Sequence, residues 1–234
     1  VLLIDVDQQH SLTSWVGTEN QRTIVDWIRG DAAFAEVADT IRGGPEEGAG
    51  RIDFVAADVR LYQLGIALHN QNVHDALERL LAETHAGRRI DAQYDVILFD
   101  CPPALSHLTY NAMWAAELVV SPTPTERMGI EGLKTVFENI RDIRQKRGGS
   151  RPEWLVLPTF YRRNEVTPSK TLDNLGDAMG WYPEGRLLEP IDRLADIRDA
   201  RNVQKTVFEY NADSRGAAQY RAAYEAIKTF SIPA

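Results

Sequence analysis

The chain has 234 residues, of which 44% are hydrophobic, 34 are acidic and 26 are basic, and its formal net charge is −8. This length allows one sizeable core, and the single cysteine excludes a disulfide framework and a cysteine-rich metal cluster. The acidic balance argues against a surface that binds polyanions over its whole extent, because such binding needs Lys and Arg contacts to phosphate. It leaves room for a local basic patch.

The apolar segments are short. No run approaches the about 18 residues needed to cross a bilayer, and nothing resembles a signal peptide. A lone cysteine also fits a reducing compartment. We therefore expect a soluble, cytoplasmic protein.

Strand-like and helix-like segments alternate along the chain, which is typical of a mostly parallel sheet with crossover helices. Strands are predicted at 1–5, 52–56, 95–99, 118–121 and 154–158, with a weaker one at 186–189. Amphipathic helices are predicted at 73–84, 131–147 and 214–230, and the glycine-rich segment 43–50 predicts a surface loop. The expected fold is a doubly wound α/β sheet with helices on both faces, in one domain over 1–234.

An acidic pair closes the first strand. Asp5 and Asp7 lie two residues apart, so they share one face if the chain stays extended. The polar residues 8–13 then predict a loop at the carboxyl edge of the sheet. Phosphate hydrolysis needs a group that orients water and carboxylates that hold a hydrated metal. Asp7 can do the first and Asp5 the second; the alternative is that both acids only end the strand or cap the following helix.

A second acid, Asp100, ends the apolar run 96–99, and Pro102 and Pro103 then prevent further strand pairing. In a phosphate-hydrolysing site such an acid contacts Mg²⁺ through water, whereas the structural alternative is a capping aspartate before a rigid turn. Cys101 beside His107 is a weaker candidate for a nucleophile, because nothing marks an oxyanion hole or a third partner.

Together these segments resemble the ParA/MinD superfamily of deviant Walker A P-loop ATPases. The run from Val1 to Gly17 resembles the Asp-x-Asp-Pro-Gln region of that family, and residues 94–106 are similar to its Walker B-type strand and following switch. The similarity continues in order through 109–112, 115–122, Glu126 with 129–133, 207–210, 214–217 and Tyr220. It is closer to the DNA-partitioning ParA branch than to MinD, since the tail shows no amphipathic membrane helix.

The resemblance implies a P-loop NTPase-like fold and an ATPase that uses ATP/ADP and Mg²⁺. Asp7 would position the attacking water, and Asp5 and Asp100 would hold the hydrated Mg²⁺. It further implies a homodimer that forms on ATP binding, sequence-independent DNA binding, a ParB-like centromere-binding or cargo adaptor partner, and a place on the nucleoid in the cytoplasm. The expected role is the segregation of a plasmid or chromosome.

The sequence departs from the family in two ways. No Gly-Lys-Ser/Thr occurs in the 234 residues, so the Walker A loop and its signature lysine are absent from them. We interpret this as an omitted N-terminal stretch, with a deliberate truncation or a degenerate paralogue as alternatives. Family members also carry proline at the position of Gln8. Two other hypotheses therefore stay open: a related ATPase that positions a protein cargo, and a non-catalytic regulator without a phosphate loop.

Basic residues in the second half give weak candidates for DNA contact. These candidates are Arg162, Arg163, Lys170, Arg198 and Arg201. The acids Asp192, Asp196 and Asp199 lie in the same segment as Arg198 and Arg201, so ion pairing on a solvated face is the alternative. The basic run 141–151 is interpreted more simply as favourable charge at the end of a helix.

Overall fold

The computed structural model describes residues 1–18, 20–42, 50–125, 127–162, 172–173, 175–177, 179–180 and 185–231, and the side chains of these except 127–131 and 231. The chain divides into two compact units, Val1–Ala115 and Ala116–Ala234. The prediction that residues 1–234 form a single ATPase domain without its phosphate-loop strand and helix stays a prediction.

The first unit is an α/β unit around a four-stranded sheet. Its strands are β1 (Leu2–Asp5), β2 (Ala38–Arg42), β3 (Ile52–Val55), β4 (Thr84–His85), β5 (Arg88–Arg89) and β6 (Ile97–Asp100). Its α-helices are α1 (Ser11–Val16), α2 (Ile24–Arg29), α3 (Phe34–Val37), α4 (Leu61–Asn70), α5 (Ala76–Leu81) and α6 (His107–Ala115). The sheet order is β2-β3-β1-β6, and β4 pairs with β5 as a separate hairpin.

The central strands of this sheet are buried on both faces. Within the sheet β1 is parallel to β3 and to β6, while β2 is antiparallel to β3. Leu2 and Ile4 of β1 and Phe54 and Val55 of β3 are almost fully buried, which explains why these strands are near-continuous apolar runs, interrupted in β3 by Asp53. Parallel pairing brings the carboxyl ends of β1, β3 and β6 to one edge of the sheet.

The second unit has a three-stranded parallel sheet in the order β7-β8-β9. The strands are β7 (Leu118–Pro124), β8 (Glu153–Thr159) and β9 (Gly185–Leu187), and the helices are α7 (Arg127–Arg147), α8 (Ala195–Asn202), α9 (Val207–Tyr210) and α10 (Arg215–Ser231). Trp154 of β8 is buried and donates its indole N–H to Ser121 Oγ at 3.0 Å. A Cβ at Gly185 would lie 2.7 Å from the Trp154 ring, so only glycine fits there.

The six predicted strands are confirmed, with ends shifted by at most three residues. The predicted helix 73–84 is shorter, because Asn111 accepts a hydrogen bond from the Ala76 N–H and residues 84–89 form the β4–β5 hairpin. The antiparallel strand β2 was not predicted, since its mixed and largely exposed sequence gives no strand signal. The predicted loop 43–50 lies, except for Gly50, outside the described residues. None of the helices in the described parts of the chain is both long and apolar enough to span a bilayer.

Candidate functional site

Three carboxylates meet at the carboxyl edge of the first unit's sheet. Asp5 and Asp100 are register partners at the ends of the neighbouring parallel strands β1 and β6. The backbone continues this pairing for one step, since the Val6 N–H donates to the Asp100 carbonyl at 2.9 Å. Asp7 follows two residues after Asp5. The structure thus brings together the three acids that the sequence selected.

Asp5 is completely buried and holds the loop that follows β1. Its Oδ1 accepts the Asp7 N–H at 2.9 Å, while Oδ2 accepts both the Thr13 N–H at 2.9 Å and the Thr13 hydroxyl at 2.7 Å. A carboxylate oxygen offers about two acceptor positions, so these bonds leave only Oδ1 with room for another donor. The metal role predicted for Asp5 stays a prediction, and it is confined to that atom.

Asp7 is half-buried at the start of a tight loop. Its Oδ1 accepts the Gln9 N–H and its carbonyl accepts the His10 N–H, both at 2.9 Å. His10 takes a left-handed backbone conformation with φ of 44°, which is uncommon for a residue other than glycine. Among the described residues Asp7 Oδ2 accepts no hydrogen bond, so the second carboxylate oxygen is available to a ligand.

Asp100 lies on the exposed end of β6, and its carboxylate has no cationic partner in the described parts of the chain. Partial burial raises the pKa of Asp100, and the negative charges of Asp5 and Asp7 raise it further. The three acids therefore repel one another instead of being neutralised. A cation brought from outside would relieve that repulsion.

The donor set fits a hydrated Mg²⁺ ion better than a directly held metal. Carboxylate oxygens are the hard ligands that Mg²⁺ prefers, and this ion keeps several of its waters when bound. Within the described residues no group of three or more His, Cys, Asp or Glu side chains is arranged so that it could hold a metal ion by itself. Contact through the water shell of an ion does not need such a group.

The structure argues against a thiol nucleophile. Burial raises the pKa of the Cys101 thiol to about 12, with further contributions from the charges of Asp100, Asp7 and Asp5. The imidazole of His107 is engaged elsewhere, with Nε2 2.7 Å from the Val73 carbonyl. Cys101 is therefore a neutral thiol at physiological pH.

Of the five basic candidates for DNA contact, the structure describes Arg162, Arg198 and Arg201, all exposed; Arg163 and Lys170 lie outside the described residues. Arg198 donates from Nε to Asp199 at 2.9 Å, as expected for charge pairing on a solvated face. Arg201 lies in the last turn of α8 and makes no hydrogen bond or ion pair with the side chains and backbone that the structure describes.

The basic run at the end of α7 is engaged in local contacts. Arg144 donates from Nη2 to the Pro152 carbonyl at 2.7 Å, and Lys146 pairs with Asp142 at 2.8 Å. Arg151 forms an ion pair with Glu117. These contacts support the interpretation of this run as a helix end.

Two features of this edge were not found from the sequence. Thr13 bonds both to Asp5 and to the backbone after β3, and Arg60 binds Asp26 and Asp58 near the same strand. A polar stretch after β1 was visible in the sequence, but nothing in it distinguished Thr13 from its neighbours. One partner of Arg60, Asp26, lies 34 residues away in the sequence, so no local motif reveals the pair.

Comparisons with known proteins identify the family. Residues 1–151 match a family model described as an AAA domain. The chromosome partitioning protein ParA of Caulobacter vibrioides is 29% identical over 231 residues, covering 94% of this chain and 79% of that protein. The chain belongs to the ParA/MinD superfamily of P-loop ATPases. The resemblance inferred from the acidic strands is confirmed.

Solved structures confirm the fold class. Apo McdA from Cyanothece superposes with a TM-score of 0.79 at 16% identity, covering 97% of this chain and 86% of that one. Cobyrinic acid a,c-diamide synthase from Mycobacterium smegmatis, with a bound ATP analogue and magnesium, gives a TM-score of 0.73 at 24% identity and covers 97% of this chain and 80% of that one. The fold is the doubly wound, mostly parallel α/β sheet of P-loop NTPases.

Proposed function

We propose that this protein is a ParA-type partition ATPase that binds and hydrolyses ATP with Mg²⁺. The observation that supports this most strongly is the cluster of Asp5, Asp7 and Asp100 at the carboxyl edge of a parallel sheet, without a cationic partner among the described residues. In a family of ATPases, such a cluster fits a metal-phosphate ligand.

Each acid has a separate role in this proposal. Asp7 orients the attacking water through its available Oδ2, and Asp100 holds the water shell of the metal. Asp5 supports both acids, and only its Oδ1 has room to accept a hydrogen bond from the water shell of the metal. Bound Mg²⁺ would neutralise the charge that develops on the transferred phosphate. ATP/ADP and Mg²⁺ are therefore the proposed ligands.

The phosphate loop decides between catalysis and its main alternative. The 234 residues contain no Gly-Lys-Ser/Thr, so the proposal concerns the protein as its gene encodes it. If that protein also lacks the loop, it is a non-catalytic ParA-like regulator. Reading the codons ahead of Val1 separates the two at once.

The decisive experiment replaces Asp7 in the gene-encoded protein. Asp7→Ala should keep ATP binding and ATP-dependent dimerisation but slow hydrolysis by about 100-fold or more, because the water loses its orienting group. Asp95→Ala, an exposed acid ahead of β6, is the matched control and should hydrolyse at the wild-type rate. Wild-type turnover by Asp7→Ala removes Asp7 from the mechanism. A folded wild-type protein without hydrolysis supports the regulator instead.

The proposed cellular role follows from the similarity to ParA. ATP binding would close a homodimer that binds DNA without sequence preference, and hydrolysis stimulated by a ParB-like partner would release it. The protein would then act in the cytoplasm on the nucleoid and segregate a plasmid or chromosome. A related ATPase that positions a protein cargo is the second candidate.

DNA contact is proposed at the exposed basic residues of the second unit. Arg201 is the best of the described candidates, since Arg198 already pairs with Asp199. Arg201→Glu should weaken ATP-dependent DNA binding and reduce the slope of log K against log salt by about 1 for each lost phosphate contact. Arg79→Glu, which replaces an exposed arginine paired with Asp75, should change neither value. An unchanged slope in Arg201→Glu moves the interface elsewhere.

A further inference from the structure

Thr13 connects two loops at the carboxyl edge of the first sheet. Its N–H and its hydroxyl both donate to Asp5 Oδ2, at 2.9 and 2.7 Å. The same hydroxyl oxygen accepts the N–H of Ala57, just beyond β3, at 2.9 Å. One side chain thus joins the loop after β1 to the loop after β3.

The chain of hydrogen bonds continues from Thr13 to Asp7. Asp5 accepts the Thr13 hydroxyl on Oδ2 and the Asp7 N–H on Oδ1. The Asp5 carboxylate therefore links the position of Thr13 to that of the Asp7 backbone. Because this acceptor is charged and buried, its bonds are stronger than those between neutral groups. The other end is fixed as well: Ala57 is buried, and the carbonyl of Ala56 accepts the Ile24 N–H at 2.9 Å.

Packing gives this segment only a partial anchor. Helix α1, which contains Thr13, has six residues and buries none of them fully. Its first turn begins after His10, which gives no side-chain cap. Leu12, Trp15 and Val16 are half-buried, so the polar contacts of Thr13 add to limited apolar packing in fixing this short helix.

We propose that Thr13 is a positioning residue that sets Asp7 for water orientation, acting through Asp5. This inference rests on the proposed function, because it assigns a task to the same site. The hydroxyl is essential in this account, since it is donor to Asp5 and acceptor from Ala57 at once. A group held out of place by about 1 Å can lower a rate by about 100-fold.

The test compares Thr13→Val, which keeps the shape and removes the hydroxyl, with Thr13→Ser, which keeps the hydroxyl. In the gene-encoded protein, Thr13→Val should lower kcat for ATP by about 10- to 100-fold and leave KM within about 2-fold. Thr13→Ser should retain most of the rate. In an Asp7→Ala background, measured under single-turnover conditions, Thr13→Val should cause no further loss.

A second readout needs no nucleotide. Amide hydrogen exchange followed by NMR should show faster exchange at Ala57 and Asp7 in Thr13→Val than in wild type, with Thr13→Ser close to wild type. Full activity of Thr13→Val, or an equal further loss in the Asp7→Ala background, overturns the positioning role. If wild type itself does not hydrolyse ATP, the proposed function fails, and the exchange data still show whether the Thr13 connection exists.

Discussion

Two acidic clusters lie at the same edge of one sheet, and they differ in whether a cation is built in. Near the end of β3, Asp26 and Asp58 surround Arg60, which donates from Nη1 and Nη2 to both oxygens of Asp26 at 2.9 and 2.8 Å and to Asp58 at 2.7 Å. Near the ends of β1 and β6, three acids meet without such a partner in the described residues.

The protonation behaviour of the two clusters runs in opposite directions. The hydrogen bond from Arg60 lowers the pKa of Asp26 to about 2. Burial raises the pKa of Asp58, but hydrogen bonds from Arg60 and Thr23 outweigh it and lower the value. At Asp100, burial and the neighbouring carboxylates both raise the pKa. The first cluster therefore stabilises the fold in its charged form, while the second is destabilised by its own charge.

This difference separates structure from function within one unit. A cluster whose counter-ion is part of the chain serves stability, and it gains nothing from a ligand. A cluster with excess negative charge lowers the stability of the protein, and a ligand that supplies a cation offsets that loss. The three predictions below test this contrast, from the largest expected effect to the smallest.

Removing Arg60 should disrupt the cluster of Asp26, Asp58 and Arg60, which we call the compensated cluster because its arginine offsets the charge of its acids. Arg60→Ala leaves the nearly buried Asp26 without its cation and is expected to lower the free energy of unfolding by about 2–3 kcal/mol. The estimate is below that for a fully buried pair because 41% of the Arg60 side chain is exposed. Urea denaturation followed by circular dichroism measures the change.

The control for this prediction is Arg79→Ala, which removes an exposed arginine that pairs with Asp75 at 2.6 Å. Such a surface pair contributes about 0–1 kcal/mol, so the two variants should differ clearly. Equal losses in both would mean that the Arg60 cluster is an ordinary surface network.

Much of this contrast was beyond the sequence. Near-continuous apolar runs predicted β1, β3 and β6, and the acids at the ends of β1 and β6 predicted the site, because both signals are local. Arg60 was missed since its bond to Asp26 spans 34 residues, and Thr13 was missed since its bond to Ala57 spans 44. Such partners are set by strand pairing, which a single sequence does not encode in a local pattern. The acids could be selected, but not the groups that neutralise or position them.

Acid should weaken the compensated cluster in a defined pH range. The pKa of Asp26 is about 2 in the folded protein against an ordinary 3.8, so its ionised form contributes stability that is complete above about pH 4. That contribution, about 2 kcal/mol, is lost as pH falls from about 4 to 2. Asp26→Asn lacks it from the start, so the stability gap between wild type and variant should close over this range. A constant gap would contradict the assignment to Asp26.

The smallest effect should be a gain in stability when one acid is removed from the uncompensated cluster, which consists of Asp5, Asp7 and Asp100. Asp100→Asn removes one of three like charges and should raise the free energy of unfolding at pH 7, without nucleotide or Mg²⁺, by at most about 1 kcal/mol because the site is open to solvent. The folded pKa of Asp100 is raised, so the gain belongs to its ionised form; it should shrink as pH falls below that raised pKa and vanish below the ordinary pKa of 3.8. Asp95→Asn should leave stability unchanged.

Adding Mg²⁺, compared with K⁺ at equal ionic strength, should stabilise wild type more than Asp100→Asn, because only wild type keeps the charge that the cation neutralises. A loss of stability in Asp100→Asn would show that this acid, like Asp26, is part of the scaffold.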